Sequence, residues 1–554
     1  MNSFLITGKL ISNFEFSQNI TPTISILDLS EKDLKEINLS VLQNCRNLRA
    51  LYLADNRLNE INLEPLQNCP DFSDLNLSNN AFYSIDLKSL KNCKNLKSIF
   101  LDHNYLNIIN LEPLQNCLEL VDIALSYNKL AVLDLRPLKN CKNLETLNLQ
   151  DNSLIELDLS PLNNLPKYNS IILPTNLLEE LKLFNFPNLQ ELDLRNNRLR
   201  SIDLTPLKNS PKLERINLNS NQLTYVDLQP LKYCIKLEYL QLTDNKLKEL
   251  NLISFPNLKF FSLGTNQLKK LDLTPLKNSI ELRTINLNTN ELRSIKLVHL
   301  PNLETLNLRE NQLNSIDLTP IQGNMKLNSL ILANNELTSL DLDPLKTCSN
   351  LDSLDLAGNK LRVIDLSPLK NCKTLRYINL YNNPLEKLDV SPLQYCPELT
   401  ILNLFNTSLK SLDLTSLMHT NIQYLDVKES KLKEVILSPM KNLSSLNLNN
   451  NQISSLDLSP LKQNLKLITL NLSSNQLKSL DLSPLQLCSE LMDIRLGGNP
   501  ISSLELTPLI GNKKLNYIEI NDDTKLQIHK SKKSKKIVSK AIEKMINKGI
   551  VDWI

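Results

Sequence analysis

The stretch Leu351-Asp-Ser-Leu354-Asp-Leu356-Ala-Gly-Asn359-Lys-Leu361-Arg-Val-Ile364-Asp-Leu366-Ser-Pro-Leu369-Lys-Asn-Cys372 decides the fold. Its Leu-x-x-Leu-x-Leu opening alternates apolar and polar residues with period two, the pattern of a strand with one buried face. Asn359 falls where the chain must leave that strand. A buried turn leaves backbone N–H and C=O groups without partners, and the Asn amide offers a donor and an acceptor to them. Ile364-Asp365-Leu366 repeats the alternation as a second, shorter extended segment. Ser367 and Pro368 then read as the N-cap and first residue of a brief helical turn, where the missing Pro N–H costs nothing. Cys372 follows one turn later, facing inward, and the next Leu restarts the cycle.

Nearly the whole chain is this unit repeated. The Asn position recurs at 32, 56, 80, 104, 128, 152, 176, 197, 221, 245, 266, 290, 311, 335, 359, 383, 407, 430, 451, 475, 499 and 523, and 18 of these 22 frames hold Asn. The exceptions are Lys32, Thr407, Ser430 and Asp523. Lys32 and Asp523 stand at the ends, where capping coils belong; Thr407 and Ser430 are consecutive and mark a local irregularity. Most steps are 24 residues, but those ending at Asn197, Asn266, Asn311 and Asn451 are 21. In two of these, Phe184-Asn-Phe186-Pro187 and Ile253-Ser-Phe255-Pro256 replace the Ser-Pro-Leu turn. One unit has too few aliphatic side chains to offset the entropy of ordering it, so each coil depends on its stacked neighbours.

These residues resemble the leucine-rich repeat superfamily over residues 24–523, and the short period is similar to its internalin-like branch. The Leu-Asp-Leu-Ser-Pro-Leu-x-x-Cys half departs from the usual internalin pattern, so no subfamily's partner carries over. The resemblance implies a β-rich α/β solenoid: a right-handed superhelix, or horseshoe, of about 22 coils. A parallel sheet would line its concave side, with short strands and 3-10 or helical turns on the convex side. It also implies binding on the concave sheet.

Outside the repeats, residues 1–23 carry apolar Phe4, Leu5, Ile6, Leu10, Ile11, Phe14 and Phe16, suited to an N-terminal cap over the first coil. The opening lacks the basic segment and small-residue cleavage site of a signal peptide. Residues 524–554 hold nine Lys against Glu543 and Asp552. Val538, Ala541, Ile542, Met545 and Ile546 fall at the spacing of an amphipathic helix. This tail reads as a C-terminal cap, as an arm contacting nucleic acid or acidic lipid through Lys530, Lys532, Lys533, Lys535, Lys536, Lys540 and Lys544, or as a flexible extension. No apolar run is long enough for a transmembrane helix.

Catalytic chemistry finds little support. The ten Cys, each thirteen residues after a ladder position, read as small buried hydrophobes in a reducing, cytoplasmic setting rather than as disulfides or metal thiolates. The recurrent Asp of the Ile/Leu-Asp-Leu slot reads as a solvated partner of the adjacent turn, since Asn62, Asn110, Asn251, Lys182 and Lys296 also occupy it. The four His share no column, and no phosphate-binding Gly loop occurs. No cofactor or metal is expected, and the reading is non-enzymatic.

The concave positions lie six, four and two residues before each ladder residue. The middle one is rich in Asn and Asp. Against that polar ground stand Tyr239 and Phe260 on successive strands, and Tyr377, Tyr381, Phe405 and Tyr424 over three. Exposed rings in a polar rim resemble partner anchors; strands also accommodate aromatics for packing alone. Arg195, Arg215 and Arg309 add charge-assisted contacts. The sequence thus reads as an interaction scaffold binding a protein or peptide on its concave face, with a nucleic-acid or membrane adaptor acting through the Lys-rich tail as the alternative.

Overall fold

The computed structural model describes residues 3–532 and 539–554. The chain divides into two compact units, Met1–Leu268 and Lys269–Ile554. Each unit contains a parallel sheet of eleven three-residue strands in sequence order, running from Ile26–Asp28 to Phe260–Ser262 in the first and from Thr284–Asn286 to Tyr517–Glu519 in the second. Register is strict: Leu51 pairs with Leu75, Leu75 with Ile99, and Leu354 with Ile378. The central residue of each strand points inward, as the period-two reading requires. All seven aliphatic positions of the unit from Leu351 to Leu369 are buried, the most exposed being Ile364 at 8%.

The ladder Asn joins coil to coil. Asn359 Oδ1 accepts the Leu337 N–H of the preceding coil at 3.1 Å, and its Nδ2 donates to the carbonyls of Leu332 and Leu356 at 3.0 Å. Asn104, Asn221 and Asn475 repeat the arrangement. Immediately before the ladder residue the backbone turns left-handed, as at Asn79 with φ 53° and Gly358 with φ 61°. That conformation aims its N–H across to the next coil, as from Gly358 to the Tyr381 carbonyl at 2.7 Å. At the irregular frames a hydroxyl pair stands in: Thr407 and Ser430 bond at 2.8 Å, and Ser430 Oγ accepts the Thr407 N–H. The last frame corrects the sequence reading. Asp523 is exposed, and Thr524, one residue later, is buried with its hydroxyl on the Ile501 carbonyl at 2.9 Å. That frame has no following ladder Asn to receive its backbone, so one hydroxyl suffices.

Two features of the outer arc also differ from the sequence reading. Ser367 is not the cap of its 3-10 turn, which spans Ser367–Asn371. Its N-cap is Leu366, and Asp365, one residue earlier, accepts the Ser367 N–H on Oδ1 at 2.8 Å, as Asn62 and Asn110 do in their coils. The recurrent Asp is therefore a turn residue, and Ser160 and Ser483 reinforce it with their hydroxyls. The second extended segment is ladder-paired at only a few places, among them Lys270–Asp272 with Ser294–Lys296 and Ser411–Asp413 with Glu434–Ile436. In the short coils the 3-10 turn is gone, and Phe186, Phe255, Leu300 and Met440 fill its space.

At the start of the first unit, Phe4–Leu10 pairs antiparallel with Glu15–Ile20 on one side and Leu34–Asn38 on the other. In the second unit, Lys525–Ile528 lies between Ser503–Glu505 and Val551–Trp553, parallel to both. Between those last strands runs the helix Lys540–Asn547, with Ala541 and Ile542 buried and the Ser539 hydroxyl on the Leu515 carbonyl. Met545 and Ile546 are half-buried; Val538 lies outside the described residues.

All ten Cys are free and buried. Their column is a second line of donors: Cys69 Sγ reaches the Cys45 carbonyl at 3.4 Å, and Ser210 and Asn464 make equivalent bonds from the same slot. Burial pushes the thiols of Cys93, Cys117 and Cys372 up to about 12 and those of Cys69, Cys141 and Cys488 to about 11.

Two outcomes follow. Asn359→Ala orphans the buried Leu337 N–H, while the Leu332 and Leu356 carbonyls each keep one donor, from Asn335 and Asn383, so urea unfolding should show a loss of about 1–3 kcal/mol. A thiol reagent at pH 8 should label none of the ten Cys in the native protein and all ten in denaturant, because only the thiolate reacts.

Candidate functional site

The open face of each sheet is built from three columns per strand. The middle column serves the backbone: Asn403 Oδ1 accepts the Phe405 N–H at 3.1 Å, and Asn76, Asn148, Asn307 and Asn471 bond likewise two residues ahead. Asp193, Asp355 and Asp426 make the same bond as carboxylates. Burial raises all three above the usual carboxylate range, and Asp193 and Asp355 are only 7% and 9% exposed. These concave Asp are thus far less open than their position suggests. The flanking columns carry no such duty and are free to vary.

In the first unit, Tyr239 and Phe260 face one another across adjacent strands with ring centres 6.4 Å apart. Arg215, one strand earlier, lays its guanidinium over Tyr239 at 5.4 Å. Arg195 instead pairs with Asp193 at 3.4 Å.

In the second unit, Tyr381 and Phe405 stack at 5.3 Å and 9°. The Lys428 ammonium sits 4.4 Å from the Phe405 ring centre, continuing the column. Tyr377 and Tyr424 occupy the opposite column and are separated by the strand of Ile401. The four rings therefore resolve into one stacked pair and two flanking tyrosines. Tyr424 is exposed; the other three are half-buried. Burial, then nearby Asp355, raises the Tyr377 phenol. Arg309 pairs with Glu310 at 3.0 Å.

Lys530, Lys540 and Lys544 are exposed. The backbone of Lys532 closes the short turn Lys530–Lys532, and Lys533, Lys535 and Lys536 lie outside the described residues. Among the described residues no group of His, Cys, Asp and Glu is placed to hold a metal ion.

Several rings escaped the sequence reading. Tyr52, Phe100 and Tyr517 stand on the same open-face columns, and counting back from each ladder residue would have found them. His103 stacks on Tyr127 at 4.2 Å, and Tyr83 on Tyr105 at 5.4 Å. The first pair was legible too, since both residues directly precede a ladder Asn.

A family model described as a leucine-rich repeat matches residues 187–247 and 325–385, and one described as a BspA-type leucine-rich repeat region matches residues 9–134. The chain is a leucine-rich-repeat protein. No curated protein matches this leucine-rich-repeat sequence. Among solved structures it is similar to YopM from Yersinia enterocolitica WA-314, at 23% identity and TM-score 0.64, covering 90% of this chain and 91% of that one. The plant peptide hormone receptor RGFR1 in complex with RGF2 matches at 21% identity and TM-score 0.57, covering 94% and 97%. The Arabidopsis receptor kinase HAESA, in complex with the peptide hormone IDA and the co-receptor SERK1, matches at 20% and 0.63, covering 92% and 83%. These likenesses are of fold.

The raised pKa of Asp355 has a checkable consequence. An acid whose folded pKa exceeds its unfolded value costs stability as pH rises through the unfolded value and beyond. Asn keeps the bond to Ala357 without the charge. Asp355→Asn should therefore melt higher than wild type at pH 7, with the gap closing below about pH 4, where both states of the wild type are protonated.

Proposed function

We propose that this leucine-rich-repeat protein is a non-enzymatic interaction scaffold that binds a protein or peptide on the open, concave face of its sheet. The contact is centred on Tyr377, Tyr381, Phe405 and Tyr424, with Tyr239, Phe260 and the arginines Arg195, Arg215 and Arg309 as further anchors. The observation that carries this reading is the Tyr381–Phe405 stack topped by Lys428. It is an apolar shelf with a cation at its edge, set among the amides of the middle column. Rings lose little conformational freedom on binding and dominate interface energetics. The amides suit the carbonyls of an extended chain. RGFR1 and HAESA, which share the fold, were solved with peptide hormones bound. The proposal includes a cytoplasmic location, which ten unpaired buried thiols support.

A pull-down comparing wild type with the variant Tyr377→Ala/Tyr381→Ala/Phe405→Ala tests the reading. At least one partner should be lost at about tenfold or more, the scale of a hot-spot ring, while the melting temperature stays close to wild type. Recovery of every partner by the variant would refute the anchor.

A further inference from the structure

The first seven coils of the N-terminal unit present a different open face. Their strands, from Ile26–Asp28 to Ser170–Ile172, offer 21 outward positions with four Asp (28, 74, 102 and 122) and no Lys, Arg or His. Among the described residues none of these carboxylates enters an ion pair. Their neighbours are hydroxyls: Ser73 on Asp74, Ser78 on Asp102 and Thr146 on Asp122.

Two rings stand among them. Register places Phe100 between Asn76 and Ala124, with Asp74 and Asp122 on the two adjacent strands and Asp102 two residues along its own. Strand spacing and rise put the Cα atoms of all three Asp about 7–8 Å from that of Phe100. Tyr52 stands between the strands of Asp28 and Asp74. The four carboxylates are too dispersed to share a metal ion, and among the described residues no such cluster exists. Ser126, on the strand next to Asp102, is 5% exposed. On the rim beside Asp102, Tyr105 carries the Lys129 ammonium 5.2 Å from its ring centre.

We propose that this face is a second docking surface, for a basic peptide segment whose Arg or Lys side chains settle over Phe100 and Tyr52. Charge complementarity selects this occupant. A guanidinium over a ring gains the attraction of the ring face, and the surrounding carboxylates supply charge-assisted acceptors. An acidic or neutral segment would meet uncompensated carboxylates and be rejected. This proposal rests on the first unit alone and stands independently of the ring stack in the second.

The test uses the full chain and a fluorescent nonapeptide of alternating Arg and Gly, with a Glu-for-Arg peptide as control, read by anisotropy at physiological salt. The Arg peptide should bind and the Glu peptide should not. Asp74→Asn/Asp122→Asn should weaken binding roughly tenfold or more. Phe100→Leu, which keeps the apolar bulk without the ring, should weaken it about two- to fivefold. Tyr381→Ala/Phe405→Ala and the charge-matched control Glu281→Gln/Glu398→Gln should leave it unchanged. Melting curves establish that each variant is folded. Absence of Arg-peptide binding overturns the proposal, as does an affinity indifferent to Asp74→Asn/Asp122→Asn. An equal loss in the Glu281→Gln/Glu398→Gln control overturns it too, because general charge attraction would then explain the binding.

Discussion

One side-chain amide per coil makes the rest possible. A chain that leaves a buried strand and turns must satisfy backbone groups where water cannot reach them, and each unsatisfied group costs on the order of 1–3 kcal/mol. Asn meets that demand with one residue, because it accepts from the coil before and donates to two carbonyls at once, as Asn359 does. Asp has no donor, Leu has neither function, and Gln places its amide one methylene too far. The ladder is thus a constraint on chemistry and on length together. Where it lapses, at Thr407 and Ser430, two hydroxyls are needed to bridge what one amide did.

The same principle recurs at three depths of the coil. The ladder Asn serves the inner turn, the Asp of the outer arc serves the 3-10 turn, and the Asn or Asp of the open face serves the strand end. The Cys column is a fourth, weaker instance, a donor small enough to sit inside the core. Each solution is local and repeats with the coil. The sheet can therefore be extended without any long-range contact being redesigned, which is why stacking rather than a central core carries the stability.

That locality explains what was legible in advance. The ladder register, the buried leucines and the parallel sheet follow from which residues can occupy a buried turn, and few can. The Ser367 cap was misassigned because Ser and Asp both serve at turn entries; the choice rests on which side chain reaches the N–H, and that is a matter of geometry. Asp523 was misplaced for a related reason, since a one-residue offset is invisible once the amide is absent. On the open face, position was legible and contact was not. Column arithmetic brings Tyr381 and Lys428 to either side of Phe405 and sets Ile401 between Tyr377 and Tyr424, but it gave no reason for the rings to stack nor for the Lys428 ammonium to lie over Phe405.

Where the middle column keeps Asn or Asp, the proposed contacts fall on the columns that the backbone does not need; Tyr52 and Phe100 stand where the middle column has given up that bond. The middle open-face column is committed to bonding its own strand end, which is why it stays Asn or Asp through most coils and why several of its carboxylates are buried at an electrostatic cost. The outer two columns do not bond the strand end, and their residues change from coil to coil. Tyr381, Phe405 and Lys428 occupy one such column, and Arg215, Tyr239 and Phe260 the other. A ring on a free column gains nothing for the core that a Ser or Thr would not also allow. A run of rings there, stacked and edged by a cation, is most economically explained by what it meets from outside.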